Sequence, residues 1–488
     1  MMTSQEKDNH AQILKICAEK SWFGRPQSSF RFFSQPSVPS MNRRGEWCMQ
    51  GALQLLLKPG GHGVIWKLAR ESGTLSWLFA SGKKKALVRQ INNPLAGVDF
   101  SLFAFTGFGW LENKIFGFAS CPRKVGAAEG VNVLIERKTE TGIEYVLTNV
   151  EYCDFQKYRQ VDLAEKNHLL DSKFYSNTNI LFVDLKKVDE AARANPFPGI
   201  LINPKKISYR KEDQVIEEEV ARLESTMQNI ADSFAYKFNE VIPSHERRGA
   251  FQTYLTYNHR KKTISSLKRE FVLGAALDET PEGCFLDLAE NARELLLAQC
   301  KMRFLPSKNE KALPFLFSYH PALGPLFSII AQKIRGGAIA QGSELFLEIA
   351  EIEIVDLDLD GALSVLAEDA MGHKSENEEL FYSEKTGKCV LKNVRIRNRG
   401  IDWEKSTQLW RNEIARTEEC RILIHGDGEF CAENVVFEGP HFIEVGAGER
   451  VTAKTDESKL VFIKEKIQKP SWFWSYSVTD DFRIALKK

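Results

Sequence analysis

The chain has 488 residues and a formal net charge of +1. Two domains are the natural expectation at that length, and the near-neutral balance excludes bulk electrostatic attraction to nucleic acid or to an anionic membrane. Nine cysteines without a C-x-x-C pair and nine histidines without H-x-x-x-H spacing signal neither a zinc site nor a disulfide framework.

Scattered thiols suit a reducing compartment. Met1 to His10 is polar, and no apolar run approaches the roughly 18 residues a spanning helix needs. The expectation is a cytoplasmic protein without a membrane or nucleic-acid partner.

In chain order, Ala11–Lys20 reads as a short amphipathic helix, followed by the aromatics Trp22, Phe23 and Phe30 to Phe33. An apolar run, Leu53 to Leu57, suggests a buried strand that breaks into Lys58-Pro59-Gly60-Gly61-His62-Gly63, and Trp66 to Phe79 reads as helix. A Gly-rich turn between strand and helix can bring backbone N–H groups against a phosphate or sugar. It can equally be a plain tight turn.

Ala86 to Ile91 and Ile115 to Ser120 read as strands, with an apolar helix at Phe100 to Phe108 between them. Val131 to Glu136 and Glu144 to Thr148 predict a β-hairpin around Thr139-Glu140-Thr141-Gly142. Ile180 to Leu185 is a further strand, and Val220, Leu223, Met227, Ile230, Ala231 and Phe234 fall at helical spacing, which predicts a long helix over Glu217 to Phe238. Alternating strands and helices favour an α/β sheet.

Beyond Ser307 the pattern changes. Leu345, Leu347, Ile349, Ile352, Ile354, Leu357 and Leu359 alternate with polar residues, and Lys392-Asn393-Val394-Arg395-Ile396 is echoed roughly 40 residues later by Glu433-Asn434-Val435-Val436-Phe437. That spacing predicts stacked β coils, a β-helix or flattened barrel over 335–465. The expected domains are 1–306, a linker 307–334, and 335–488.

In order and number, several segments resemble the UDP-sugar pyrophosphorylase family, most closely its chloroplast-type UDP-glucose pyrophosphorylases. They are Trp22-Phe23-Gly24, Lys58 to Ala69, Val88-Arg89-Gln90, Gly117 to Cys121, Ala128 to Leu134, Asn177-Thr178-Asn179, Leu223 to Ala231, His320 to Leu326 and Asn398 to Trp403. The resemblance implies an α/β nucleotide-diphospho-sugar transferase sheet of the glycosyltransferase-A type, followed by a left-handed β-helix. It further implies a reaction that joins UTP and glucose 1-phosphate to give UDP-glucose and pyrophosphate with Mg²⁺. Such chemistry rests on positioning two polyanions and neutralising their charge.

Carried over residue by residue, Gly61 would face the nucleotide base, and Gln90 and Asn92 would border the nucleotide and metal. His62 would contact the sugar phosphate, and Glu151 with Asn177 and Asn179 would take the sugar. Arg260 and Lys268 would be the catalytic cations, stabilising the phosphates. Each residue type also has a plain structural use: a strand end for Glu151, a capped turn for the asparagines, a solvated basic run for Lys268, and an exposed β-helix face for Arg395, Arg397 and Arg399.

Two departures from the family pattern stand out. Asn92 occupies a place where many members carry aspartate, which shifts the expected metal ligand to Asp99. The family's N-terminal glycine-rich phosphate loop has no counterpart before Lys58, so the sheet is expected to be incomplete at its N-terminus. The expected partners are a separate polypeptide that supplies that loop, or a second copy of the chain in a homo-oligomer. The alternative expectation is a non-catalytic sugar-nucleotide-binding or scaffold subunit.

Overall fold

The computed structural model describes the chain apart from residues 6–7, 156, 166–167, 203, 307–312, 375–379, 382–385, 407 and 458. Two compact units divide it: residues 1–90 with 103–260, and residues 91–102 with 261–488. The expected linker at 307–334 lies partly outside the described residues. The rest of it carries a strand and a helix of the second unit rather than a tether.

The helices are α1 (Asn9–Glu19), α2 (Ile65–Glu71), α3 (Thr74–Ala80), α4 (Ser101–Leu111), α5 (Leu185–Ala194), α6 (Arg247–Ala250), α7 (Pro281–Glu294) and α8 (Phe327–Lys333). The single helix expected over Trp66 to Phe79 is two, because Gly73 turns the chain at φ 72° between α2 and α3. A left-handed residue cannot continue a right-handed helix.

The sheet of the first unit contains β1 (Lys85–Val88), β2 (Phe116–Cys121), β3 (Val131–Thr139), β4 (Gly142–Val150), β5 (Ser176–Asp184), β6 (Tyr236–Phe238) and β7 (Thr253–Tyr257). Its order is β6-β4-β3-β5-β2-β7, with β1 also paired to β5. Only β2 and β7 run parallel. The hairpin forms where expected: Thr139 pairs with Gly142, which leaves Glu140-Thr141 as a two-residue loop. Phe116, Phe118, Leu181 and Val183 of the sheet bury against Trp66 and Ala69 of α2 and Val188, Ala191 and Ala192 of α5. Asp184 caps α5, its carboxylate accepting the Lys187 N–H at 2.9 Å.

Two local expectations fail. The apolar residues between 220 and 234 do not share a core: Val220 packs with Cys48, Leu56 and Tyr209, whereas Met227, Ile230, Ala231 and Phe234 join the main core. Residues 214–221 therefore form a strand paired with Lys205–Lys211, and a tight helical segment follows at Met227–Ser233. Likewise Leu53 to Leu57 is no buried strand. Leu53 and Leu57 are exposed and Leu56 is buried, and Leu57–Pro59 pairs with Ser37–Pro39 outside the sheet.

The second unit is a parallel β-helix. One ladder runs β8 (Arg303–Leu305), β10 (Ile334–Ala340), β12 (Glu351–Asp360), β14 (Lys388–Lys392), β17 (Glu429–Glu433), β20 (Glu449–Asp456), closed by the antiparallel β21 (Lys459–Lys466). A second runs β9 (Phe315–Tyr319), β11 (Ser343–Glu348), β13 (Ala362–Ala367), β16 (Cys420–Ile424), β19 (His441–Val445). The short strands β15 (Arg395–Arg397) and β18 (Val436–Glu438) continue the stack beside the end of β12.

The sequence echo is the coil repeat itself. Lys392 pairs with Glu433, Ile396 with Phe437, and Asn393 donates from Nδ2 to Asn434 Oδ1 at 2.7 Å. Asp356, Asn393 and Asn434 turn three successive corners at φ 55°, 49° and 53°, a conformation that Asn and Asp tolerate. Behind each corner an apolar side chain points inward: Leu357, Val394 and Val435. Arg397 and Arg399 pair on the outside with Asp358 and Glu418.

Glu344 is buried and held by a fork from Arg416, Nε at 2.6 Å and Nη2 at 2.7 Å. Replacing Arg416 by lysine keeps the charge but offers no fork. We expect a loss of about 1 kcal/mol, measured as a lower urea midpoint with unchanged m.

Candidate functional site

One edge of the first unit's sheet collects most of the expected residues. There β4 ends at Asn149-Val150-Glu151, β3 begins after Gly130, and β5 begins with Ser176-Asn177. Register brings these together: Asn132 faces Asn149 across the hairpin, and Val131 pairs with Ser176. β1 runs antiparallel to β5 with Val88 opposite Leu181, so its carboxyl end leads Gln90, half-buried, toward Asn177–Asn179.

Asn177 and Asn179 sit in an irregularity of β5, where pairing with β2 shifts between Asn177 and Leu181. Asn179 takes φ 57°. The two amides bond each other, Asn177 Nδ2 to Asn179 Oδ1 at 2.9 Å, and the Asn179 N–H to Asn177 Oδ1 at 3.1 Å. Their turn-capping use is thus real, and it holds both side chains at the sheet edge.

Two acceptors that face each other at this edge, Asn132 Oδ1 and Asn149 Oδ1, are buried without a hydrogen bond among the described residues; Ser176 Oγ, also without one, lies on the opposite face of the sheet with Val131. Beside the two asparagines Glu151 accepts from Asn149 Nδ2 at 2.9 Å, and burial raises its pKa above the usual carboxylate value. Buried acceptors left open in one place call for a hydroxyl or water donor. Gly130 lines the same spot, since a Cβ there would come within 2.7 Å of Asn149 Oδ1 and 3.0 Å of Glu151 Oε1.

The Gly-rich turn is fixed to this edge through residues 225–229. Gly63 N–H donates to Ser225 O at 2.8 Å, and Ser225 N–H returns a bond to Gly60 O at 3.0 Å. Met227 N–H donates to His62 Nδ1 at 3.0 Å, Met227 O accepts from Trp66 Nε1 at 2.9 Å, and Asn229 Nδ2 donates to Asn149 O at 3.0 Å. Burial lowers the His62 pKa to about 4. The ring is therefore neutral at pH 7, and with Nδ1 accepting, its proton sits on Nε2, a donor.

The close approach explains the glycines. A Cβ at Gly61 would lie 2.4 Å from Ser225 O, and at Gly63 2.6 Å from Thr226 N. Their bareness serves packing of chain on chain.

Arg260 and Lys268 are not free cations. Arg260 grips Glu129, with Nη2 2.5 Å from Oε1 and Nη1 3.1 Å from Oε2, and also donates to Pro122 O. Within the second unit, Lys268 Nζ lies 2.6 Å from Glu279 Oε1. Asn92 Nδ2 donates to Leu267 O at 3.0 Å.

Asp99 also has a different task from the one expected. One oxygen accepts the Phe327 N–H at the start of α8, and the other faces Lys262 Nζ at 3.4 Å. Lys262, buried between Asp99 and Glu294 with Phe327 beneath it, was missed because in the sequence it reads as part of a solvated basic run. Among the described residues, no group of three or more His, Cys, Asp or Glu could hold a metal. The described residues do not form a Mg²⁺ cage.

A mixed α/β sheet with a polar edge and a parallel β-helix define a nucleotide-sugar pyrophosphorylase-like architecture. Residues 1–241 match the model of the UTP–glucose-1-phosphate uridylyltransferase family and form a domain of it, and a model for UGP3-like C-terminal hexapeptide repeats matches 334–488. Among curated proteins it is 40% identical over 501 residues to the UTP–glucose-1-phosphate uridylyltransferase 3, chloroplastic, of Arabidopsis thaliana. That match covers 98% of this chain and 56% of the relative, so the chain spans little more than half its length.

It is also 24% identical over 434 residues to the UDP-sugar pyrophosphorylase of Arabidopsis thaliana, covering 84% of this chain and 67% of that one. A solved Entamoeba histolytica structure, assigned by name to UDP-N-acetylglucosamine pyrophosphorylase, shares the fold at TM-score 0.52 and 14% identity. It covers 69% of this chain and 76% of that one. The cytoplasmic expectation is overturned by the Arabidopsis match, which is a chloroplastic protein by name; composition and scattered thiols do not distinguish reducing compartments. Among the described residues no helix is long and apolar enough to cross a membrane.

Proposed function

We propose that the chain is a uridylyltransferase that joins UTP and glucose 1-phosphate to give UDP-glucose and pyrophosphate. The observation that carries this reading is the pair of open buried acceptors, Asn132 Oδ1 and Asn149 Oδ1, beside Glu151 on one face of the sheet. A sugar supplies the hydroxyl donors that this pair lacks.

An oxygen of the sugar phosphate attacks the α-phosphorus of the nucleotide, forming one P–O bond as the bond to the β-phosphate breaks and pyrophosphate leaves. In this reading the His62 Nε2–H donates to the sugar phosphate without adding a charge that titrates near neutrality. Glu151 and the asparagines hold the sugar so that the phosphate is in line. Mg²⁺, which the family resemblance implies, would ride on the nucleotide's phosphates rather than on a carboxylate cage, and no step here is routed through it.

Incubating the full chain with UTP, Mg²⁺ and glucose 1-phosphate should release pyrophosphate. No release with any sugar 1-phosphate would overturn the proposal. A second reading, a sugar-nucleotide-binding subunit without turnover, is favoured by the pairing of Arg260 with Glu129 and Lys268 with Glu279. Calorimetric binding of UDP-glucose without pyrophosphate release would establish it instead.

A further inference from the structure

A recess of about 410 Å³ opens in the first unit between the β3–β4 hairpin, β7 and helices α4 and α6. That volume falls in the range of small-molecule sites. Its apolar surface comes from Phe108 of α4 and from Leu134 and Leu147, which pair directly across the hairpin.

Its polar lining is of one sign. Lys114, Arg247 and Arg248 line it, and the carboxylates that pair with the two arginines, Glu136 at 3.1 Å and Glu112 at 3.1 Å, are not part of the lining. Lys114 is 4% exposed and donates to the carbonyls of Arg248 and Phe251, each at 2.8 Å. An ammonium has three donors, and these bonds account for two. The guanidinium of Arg248 lies 4.9 Å from the centre of the Phe108 ring, so charge and apolar surface meet at one point. Its pairing with Glu112 is exposed on both sides, 70% and 42%, the kind of ion pair that contributes little and exchanges easily.

We propose that this recess binds a small monoanionic amphiphile, a carboxylate with an apolar body. The body lies on Phe108, Leu134 and Leu147, and the carboxylate meets the Lys114–Arg247–Arg248 cluster. The occupant would contact the same strand pair that carries Asn132 and Asn149, at the next pair on the same face, Leu134 and Leu147. The binding does not depend on the uridylyltransferase reading.

The test is calorimetric titration of the full chain with octanoate, below its micelle concentration, beside octylammonium and octanol. Saturable one-to-one binding of octanoate is expected, at least tenfold tighter than either control. Leu147→Trp, which fills the apolar surface, and Arg248→Glu, which reverses the charge at an exposed position, should each weaken it at least tenfold. Thermal melts establish that each variant is folded; if Leu147→Trp is not, Arg248→Glu decides. No saturable heat, octylammonium binding as tightly as octanoate, or undiminished octanoate binding in a folded variant would overturn the proposal.

Discussion

In the proposed uridylyl transfer, replacing His62 by leucine is expected to lower kcat/KM at least about a hundredfold, the usual loss when one preorganised donor is removed. Replacing it by asparagine should flatten the acid side of the stability profile. Both expectations follow from one hydrogen bond: Met227 N–H holds Nδ1 at 3.0 Å, which leaves the proton on Nε2. Leucine removes that donor and strands the Met227 N–H as well. The side-chain oxygen of asparagine can still accept the Met227 N–H, but it has no imidazole to titrate.

The sign of the pH effect follows from burial, which lowers the ring's pKa from 6.5 to about 4. Above pH 6.5 the ring is neutral in folded and unfolded chains alike, so the full stability is present. Below it the unfolded chain takes the proton first, and stability falls until the folded ring also protonates near pH 4. The total is about 3 kcal/mol, lost between those limits and constant below them. Urea unfolding of wild type and His62→Asn at pH 7, 5 and 4 measures it. Parallel curves would show that the ring titrates normally. The same burial means that no limb of the kcat/KM profile above pH 5 should belong to His62.

How much of this was legible depends on whether local pattern and tertiary packing agree. The β3–β4 hairpin was readable because alternation and a two-residue turn are local. The coils of the β-helix were readable because Asn393 and Asn434 mark equivalent corners with inward apolar residues after them. The helix expected over 217–238 was wrong because its apolar residues serve two cores, a partition that no periodicity records.

For the site, Gln90, Glu151, Asn177 and Asn179 were readable as residues at the ends of strands. The open acceptors of Asn132 and Asn149 were not. Neither asparagine differs in the sequence from a turn or cap residue, and only register places them opposite each other. Asp99 was misjudged because a carboxylate after an Asn-Asn-Pro turn says nothing of the helix start it will cap. Arg260 and Lys268 were legible as cations, but their partners Glu129 and Glu279 are fixed by the fold.

Gly61→Ala is expected to destabilise the first unit by roughly 3–5 kcal/mol, combining strain at a glycine-only backbone angle with overpacking. Gly61 has φ 89° and ψ 164°, and its missing Cβ would lie 2.4 Å from Ser225 O and 2.7 Å from Ser225 N. Backbone atoms cannot rotate aside as a side chain does. Two companion variants separate the terms. At Gly73, φ is 72° with nothing within 4 Å of a Cβ, so alanine there should cost only the backbone strain, about 1 kcal/mol. Gly63 is not among the residues of positive φ but meets Ser225 and Thr226 backbone at 2.6 Å, so alanine there reports crowding alone. Urea unfolding of the three variants should place Gly61→Ala at or below the stability given by the sum of the other two losses, because φ 89° with ψ 164° costs more than the left-handed angle of Gly73. A Gly61→Ala protein as stable as Gly73→Ala would mean that the 225–229 segment yields, and the turn would then not be what holds His62 against Met227. If the segment does hold, His62 moves with the turn, and kcat/KM of Gly61→Ala should fall more than tenfold even at temperatures where the variant is fully folded.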